Sequence, residues 1–218
     1  MKHILSKILL IHFVLLTNFV VGQTTVTRIV TDFNGYWDTN TTTPNLVRPD
    51  NSHNLLAFEF GGVLYSTGVN NTTLSSNGIA YSSGNYKALP AFLNGTTAGS
   101  SNLIVTGSNK DGTASAALFT HPNIKDLTME SVLTDGINGL DLGTGYTNLS
   151  AGTTSSFIIN SIIPSKITDE EPDLVFTQIA DPSSNAFDKY KFLDASGVIV
   201  GQELSVSYAS IALLGTYY

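Results

Sequence analysis

Leu55-Leu56-Ala57-Phe58-Glu59-Phe60-Gly61-Gly62-Val63-Leu64-Tyr65-Ser66-Thr67-Gly68 sets two alternating apolar runs on either side of a glycine pair. Glycine takes the positive φ angles of a two-residue turn without steric cost, so this stretch predicts a β-hairpin. Just upstream, Phe33, Tyr36 and the single tryptophan, Trp37, concentrate aromatic mass where such a hairpin can bury it.

Outward from the hairpin, short apolar runs alternate with Gly, Asn, Ser and Pro clusters about every ten residues. Strands are expected at 25–29, 79–81, 86–89, 103–106, 114–119, 157–163, 174–179, 190–193, 198–200 and 204–214. Residues 70–73 and 75–78 read as turns, and Asp194-Ala195-Ser196-Gly197 reads as a second hairpin turn. Residues 124–133 fit a strand or a short helix, and the β surroundings favour the strand. With no long amphipathic stretch, the expectation is an all-β, antiparallel β-sandwich, jelly-roll-like and with little helix. Residues 23–218 read as one domain. Its end at Thr216-Tyr217-Tyr218 looks like a strand in progress, as in the N-terminal piece of a longer protein.

Residues 1–22 stand apart. Lys2 and Lys7 precede an apolar run over 8–16 that is too short to span a bilayer, and Val20-Val21-Gly22 offers a small-residue exit. That is the pattern of a cleaved secretory signal peptide, which places the mature chain outside the cell or on its surface. Without these residues the chain keeps 8 basic and 17 acidic side chains, a formal net of −9. Such a surface repels nucleic acid and anionic lipid. Cysteine is absent, which excludes disulfides, thiolate metal sites and a cysteine nucleophile.

Catalytic signatures are missing. His53 and His121 are the histidines of the mature chain and make no HExxH or HxH spacing; no serine sits in a Gly-x-Ser-x-Gly elbow. Two oxygen-rich loops remain. Asp135, Asn138 and Asp141 recur every third residue in a glycine-rich loop, which suits a hard cation such as calcium or a set of side chains capping their own turns. Asp169, Glu171 and Asp173 gather carboxylates that would hold calcium, act as an acid/base pair or form a solvated bend. Tyr36, Trp37 and Tyr65 are the candidate rings for stacking on a sugar, with core packing as the alternative for Trp37. No cofactor is required; calcium is the ion these loops would suit.

Asp32-Phe33-Asn34-Gly35-Tyr36-Trp37, the 48–58 segment, Tyr65-Ser66-Thr67-Gly68-Val69-Asn70, the 135–145 loop and Thr177-Gln178-Ile179-Ala180-Asp181-Pro182 together resemble a known module. It is the N-terminal β-rich module of large secreted or cell-surface proteins of flavobacteria and related Bacteroidetes. The resemblance implies export, often by the type IX route, surface display and an adhesin-like role, and supplies no catalytic residues. No C-terminal sorting domain is recognisable. The resulting expectation is a non-enzymatic adhesion or recognition module for a glycan or other surface ligand. The alternatives are a secreted glycan-active enzyme or its carbohydrate-binding accessory domain, using carboxylates among Asp135, Asp141, Glu171 and Asp173, and a structural spacer.

Overall fold

A computed structural model describes residues 25–39, 54–94, 104–106, 119–120, 133–143, 145–147, 152, 154–167, 169–177, 185–210 and 214. The expected signal peptide over 1–22, the ambiguous 124–132 stretch, and residues 114–118, 178–182 and 211–213 lie outside them. The described chain is all-β and antiparallel in its strand pairings, with little helix. Among the described residues no helix is long and apolar enough to cross a membrane.

The glycine-centred hairpin forms as its sequence requires. Strand β1 (Arg28–Thr31), β2 (Trp37–Asp38), β3 (Leu55–Phe60) and β4 (Val63–Ser66) make one antiparallel sheet in the order β2-β1-β3-β4. Gly61 and Gly62 turn between β3 and β4 at φ +59° and +80°, and Phe58 faces Tyr65 in the resulting register. A Cβ at Gly62 meets nothing within 4 Å, so backbone conformation alone penalises a larger residue there. Gly62→Val is therefore expected to lower stability by about 1–2 kcal/mol, read as a shifted urea midpoint, while Gly62→Asn costs less because asparagine tolerates this region.

Both faces of β3 are covered, so four consecutive residues are buried, and a bulge decides which of them share a face. Val30 pairs with Ala57 but Thr31 pairs with Leu55, so Leu56 is the extra residue on β3. An inserted residue breaks the two-residue alternation of side chains. Leu56 and Ala57 consequently join Val30, Leu64 and Leu74 in one cluster, while Leu55 and Phe58 join Tyr65 in the other.

Downstream of the hairpin the expected turn over 70–78 is a short helix, α1 (Asn71–Ser76). The Asn70 side chain accepts from the Thr73 amide at 3.0 Å and caps it. Leu74, fully buried, fastens the helix to the first cluster. Residues 79–81 and 86–89 are not strands: Ser82 exchanges two backbone bonds with the edge of β4, and Tyr86 bonds Thr67, after which the chain leaves the sheet.

Three further sheets complete the described fold. Strand β5 (Ala91–Asn94) pairs with β9 (Thr154–Phe157). Strand β6 (Ile104–Thr106) lies between β7 (Phe119–Thr120) and β8 (Gly145–Thr147). Strand β10 (Phe187–Leu193) forms a hairpin with β11 (Ile199–Ser207). Its turn is the expected one, with Asp194 Oδ1 accepting from the amides of Ser196 and Val198. The apolar run over 157–163 differs from expectation. Its strand ends at Phe157, Ile158 bonds Pro90, and Ile162 and Ile163 are 65% and 64% exposed. Residues 174–177 are likewise outside any strand; Val175 packs on the hairpin cluster instead.

Candidate functional site

Asn54 organises the first oxygen-rich loop. It is 2% exposed. Its backbone and side-chain N–H groups donate to the two carboxylate oxygens of Asp32 at 2.6 and 3.0 Å, and its Oδ1 accepts from the Ile137 amide at 2.7 Å. Leu55 N–H bonds the Leu140 carbonyl, so the loop over 135–143 is strapped to the start of β3. Within it Asp135 Oδ1 accepts from Gly136 N–H, and Asp141 Oδ1 accepts from Gly143 N–H. Both aspartates are buried, and Asn138 stands exposed with φ +56°. These bonds are those of side chains capping their own turns.

The second acidic segment is built differently. Lys166 Nζ lies 3.0 Å from Asp169 and 2.7 Å from Glu171, and Asp169 Oδ1 also accepts from the Glu171 amide. A lysine therefore already sits where a cation would. Glu171 and Asp173 are exposed. Among the described residues no group of three His, Asp or Glu side chains comes together as a metal site.

Residues 86–88 lie between these two loops. The Tyr86 hydroxyl donates to the Pro172 carbonyl at 2.9 Å, and Ala88 N–H bonds the Asn138 carbonyl. The Tyr86 ring stands edge-on to Phe58, with centroids 5.0 Å apart. Burial first, then the Glu171 charge, pushes the Tyr86 hydroxyl up to about 12. Tyr190 is likewise raised to about 12 by burial and then Asp188. An unfolded tyrosine ionises near pH 10, so between pH 10 and about 12 the folded chain holds protons that the unfolded chain has lost. The stability these groups contribute is complete below pH 10 and falls as pH rises toward 12. Tyr86→Phe and Tyr190→Phe are each expected to make that alkaline fall shallower, checked by urea midpoints at about pH 9 and about pH 11.

The three aromatic candidates are used in the first sheet. Trp37 and Tyr65 are 5% and 8% exposed, which leaves no ring face for a ligand. Tyr36 is half-buried, with its hydroxyl donating to Asp38, which also pairs with Arg28. Burial and then the Asp38 charge raise the Tyr36 hydroxyl.

The open rings lie elsewhere. Phe157 meets Phe176 edge-on with centroids 6.4 Å apart, and Phe176 meets Tyr190 at 4.6 Å. Two residues along β10, Phe192 shares the Tyr190 face. Phe157, Phe176 and Phe192 are 42%, 52% and 54% exposed, and Val200, opposite Phe192, is 53% exposed. The sequence pattern reads 157–163 and 174–179 as strands and offers none of these rings as a ligand contact. A signal was available for Phe176, which follows the acidic, exposed bend by only three residues. Compared with family models, with curated proteins and with solved structures, the chain finds no match.

Proposed function

We propose that this chain is a non-enzymatic recognition module of an exported bacterial surface protein, engaging a glycan or other surface ligand through the Phe157–Phe176–Tyr190–Phe192 row. The supporting observation is that Phe157, Phe176 and Tyr190 touch in turn while Phe157 and Phe176 remain about half exposed, with the equally open Phe192 two residues further along β10. Contiguous apolar surface of this kind marks interaction sites on soluble proteins. An exposed aromatic ring suits the flat C–H face of a sugar, and the carboxylates of the 169–173 bend suit its hydroxyls. The leader, the acidic surface and the resemblance to flavobacterial surface modules support export and display. In this reading the sheets over residues 28–157 close as a jelly-roll-like sandwich, and the row lies outside it.

The carboxylates offer less support to a glycan-active enzyme. Asp135 and Asp141 are buried and cap their own turns, whereas Glu171 is held by Lys166 on an exposed bend. A screen of immobilised glycans with the purified chain, followed by product analysis of each bound glycan, separates the readings. Recognition predicts binding without cleavage. Phe176→Ala is expected to weaken it by at least about tenfold, as truncating a central aromatic anchor does, with the melting temperature little changed. Cleaved products would replace the proposal with the enzyme, and a chain that binds nothing in the screen would favour the spacer.

A further inference from the structure

The β10–β11 hairpin has a second face. On β10 it presents Phe187, Lys189, Lys191 and Leu193, and on β11 their partners Ser207, Ser205 and Ile199, because side chains alternate along a strand and paired residues share a face. On β11 it also presents Glu203, which lies in the irregular stretch between the Tyr190–Leu204 and Phe192–Val200 pairs and is placed on this face by its ion pair with Lys189. All eight are exposed. Phe187, Leu193 and Ile199 are 56%, 50% and 50% open, an unusual apolar load for a face that also carries charge. Lys189 Nζ pairs with Glu203 at 2.8 Å, and Lys191 also acts on that carboxylate.

Charge on this face is divided by strand: both cations stand on β10, and the anion stands on β11. Apolar residues stand on both strands at the turn end, where Leu193 pairs with Ile199. A two-fold axis along the ribbon lays β10 of one copy over β11 of another. It sets Lys189 and Lys191 over the partner's Glu203, and Leu193 over the partner's Ile199, twice. The mature chain is strongly acidic, with 8 basic side chains against 17 acidic ones. Copies repel one another over most of their surface, while this face, with two lysines to one glutamate, is a place where they meet without that repulsion. We propose that two copies of this chain associate symmetrically through the Lys189/Lys191/Glu203/Leu193/Ile199 face of the hairpin.

The face is about 24 Å long at 3.4 Å per residue, and a pair of them buries on the order of 1,000 Å², at the weak end of specific interfaces. The dimer is accordingly reversible, salt-sensitive and micromolar. It leaves the opposite face, with Tyr190 and Phe192, open on both copies, so two recognition rows are carried together.

Sedimentation equilibrium of the purified chain is the test, with two charge variants. E203K makes the face wholly positive, and the double variant K189E/K191E makes it wholly negative. Each alone is expected to be monomeric at concentrations where the natural chain dimerises, and an equimolar mixture of the two is expected to form a heterodimer. All three substitutions are at exposed side chains, and unchanged melting curves confirm folding. L193S is expected to weaken the dimer by about tenfold, the effect of losing an apolar contact. A natural chain that stays monomeric at about 200 µM, well above micromolar dissociation constants, overturns the proposal. So do variants that dimerise as well as the natural chain, or a mixture that stays monomeric.

Discussion

Phe58→Ala is expected to cost about 3–5 kcal/mol of folding stability, the range for emptying a fully buried aromatic site. Phe58 is 1% exposed. Its ring stacks on Tyr65 at 5.9 Å and receives the Tyr86 edge at 5.0 Å. The cluster it shares with Leu55 and Tyr65 also collects Leu140 and Leu142 from the first acidic loop and Val175 from beyond the second. Truncation therefore loosens both loops as well as the hairpin. Phe58→Leu keeps most of the volume and is expected to lose about 1 kcal/mol, largely the aromatic contacts. Urea unfolding of the two variants checks the difference, and equal losses would mean that the ring contacts contribute little.

Asn54→Ala is expected to cost about 2–4 kcal/mol, because each buried hydrogen bond left unmade carries a penalty of about 1–3 kcal/mol. The substitution removes the acceptor of the Ile137 amide and the side-chain donor to Asp32, while the backbone bond from residue 54 to Asp32 survives. The loop over 135–143 should then exchange its amide protons faster than the hairpin does. Gly136→Ala attacks the same joint from the other side. A Cβ there would lie 2.5 Å from Asn54 Oδ1 and 2.7 Å from the Asp141 Cβ, at φ +81°. Since both substitutions open one joint, the double variant is expected to lose less than the sum of the two singles. Additive losses would show that Asn54 and the loop are held independently.

What was legible in the sequence is what neighbouring residues decide. Alternation on either side of Gly61-Gly62 specifies the hairpin, and Asp194 followed by Gly197 specifies its second counterpart. The bulge at Leu56 was not legible, since an extra residue exists only relative to the strand it faces. Helix α1 had one local signal, the Asn70 cap, but a single buried leucine makes no periodic pattern. The 157–163 run shows the other limit. Apolar sequence records a tendency toward burial, yet whether a neighbour covers Ile162 depends on the rest of the chain.

The site follows the same division. Turn-capping aspartates in the 135–143 loop are a local property and could be read directly. Their anchor, Asn54, lies more than 80 positions earlier, and no spacing rule connects the two. Aromatic residues can be counted in a sequence, but their exposure cannot. The bulged sheet takes Trp37 and Tyr65 inside, and Phe157 and Phe176 are left at the surface.

Aromatic-ring NMR of the chain, titrated with the tightest-binding glycan from the screen, tests the recognition surface most directly. Shift changes are expected to concentrate on Phe157, Phe176, Tyr190 and Phe192, with Trp37 and Tyr65 unmoved in their core sites. Changes centred on Trp37 and Tyr65, or a row that stays silent while the glycan binds, would contradict that expectation.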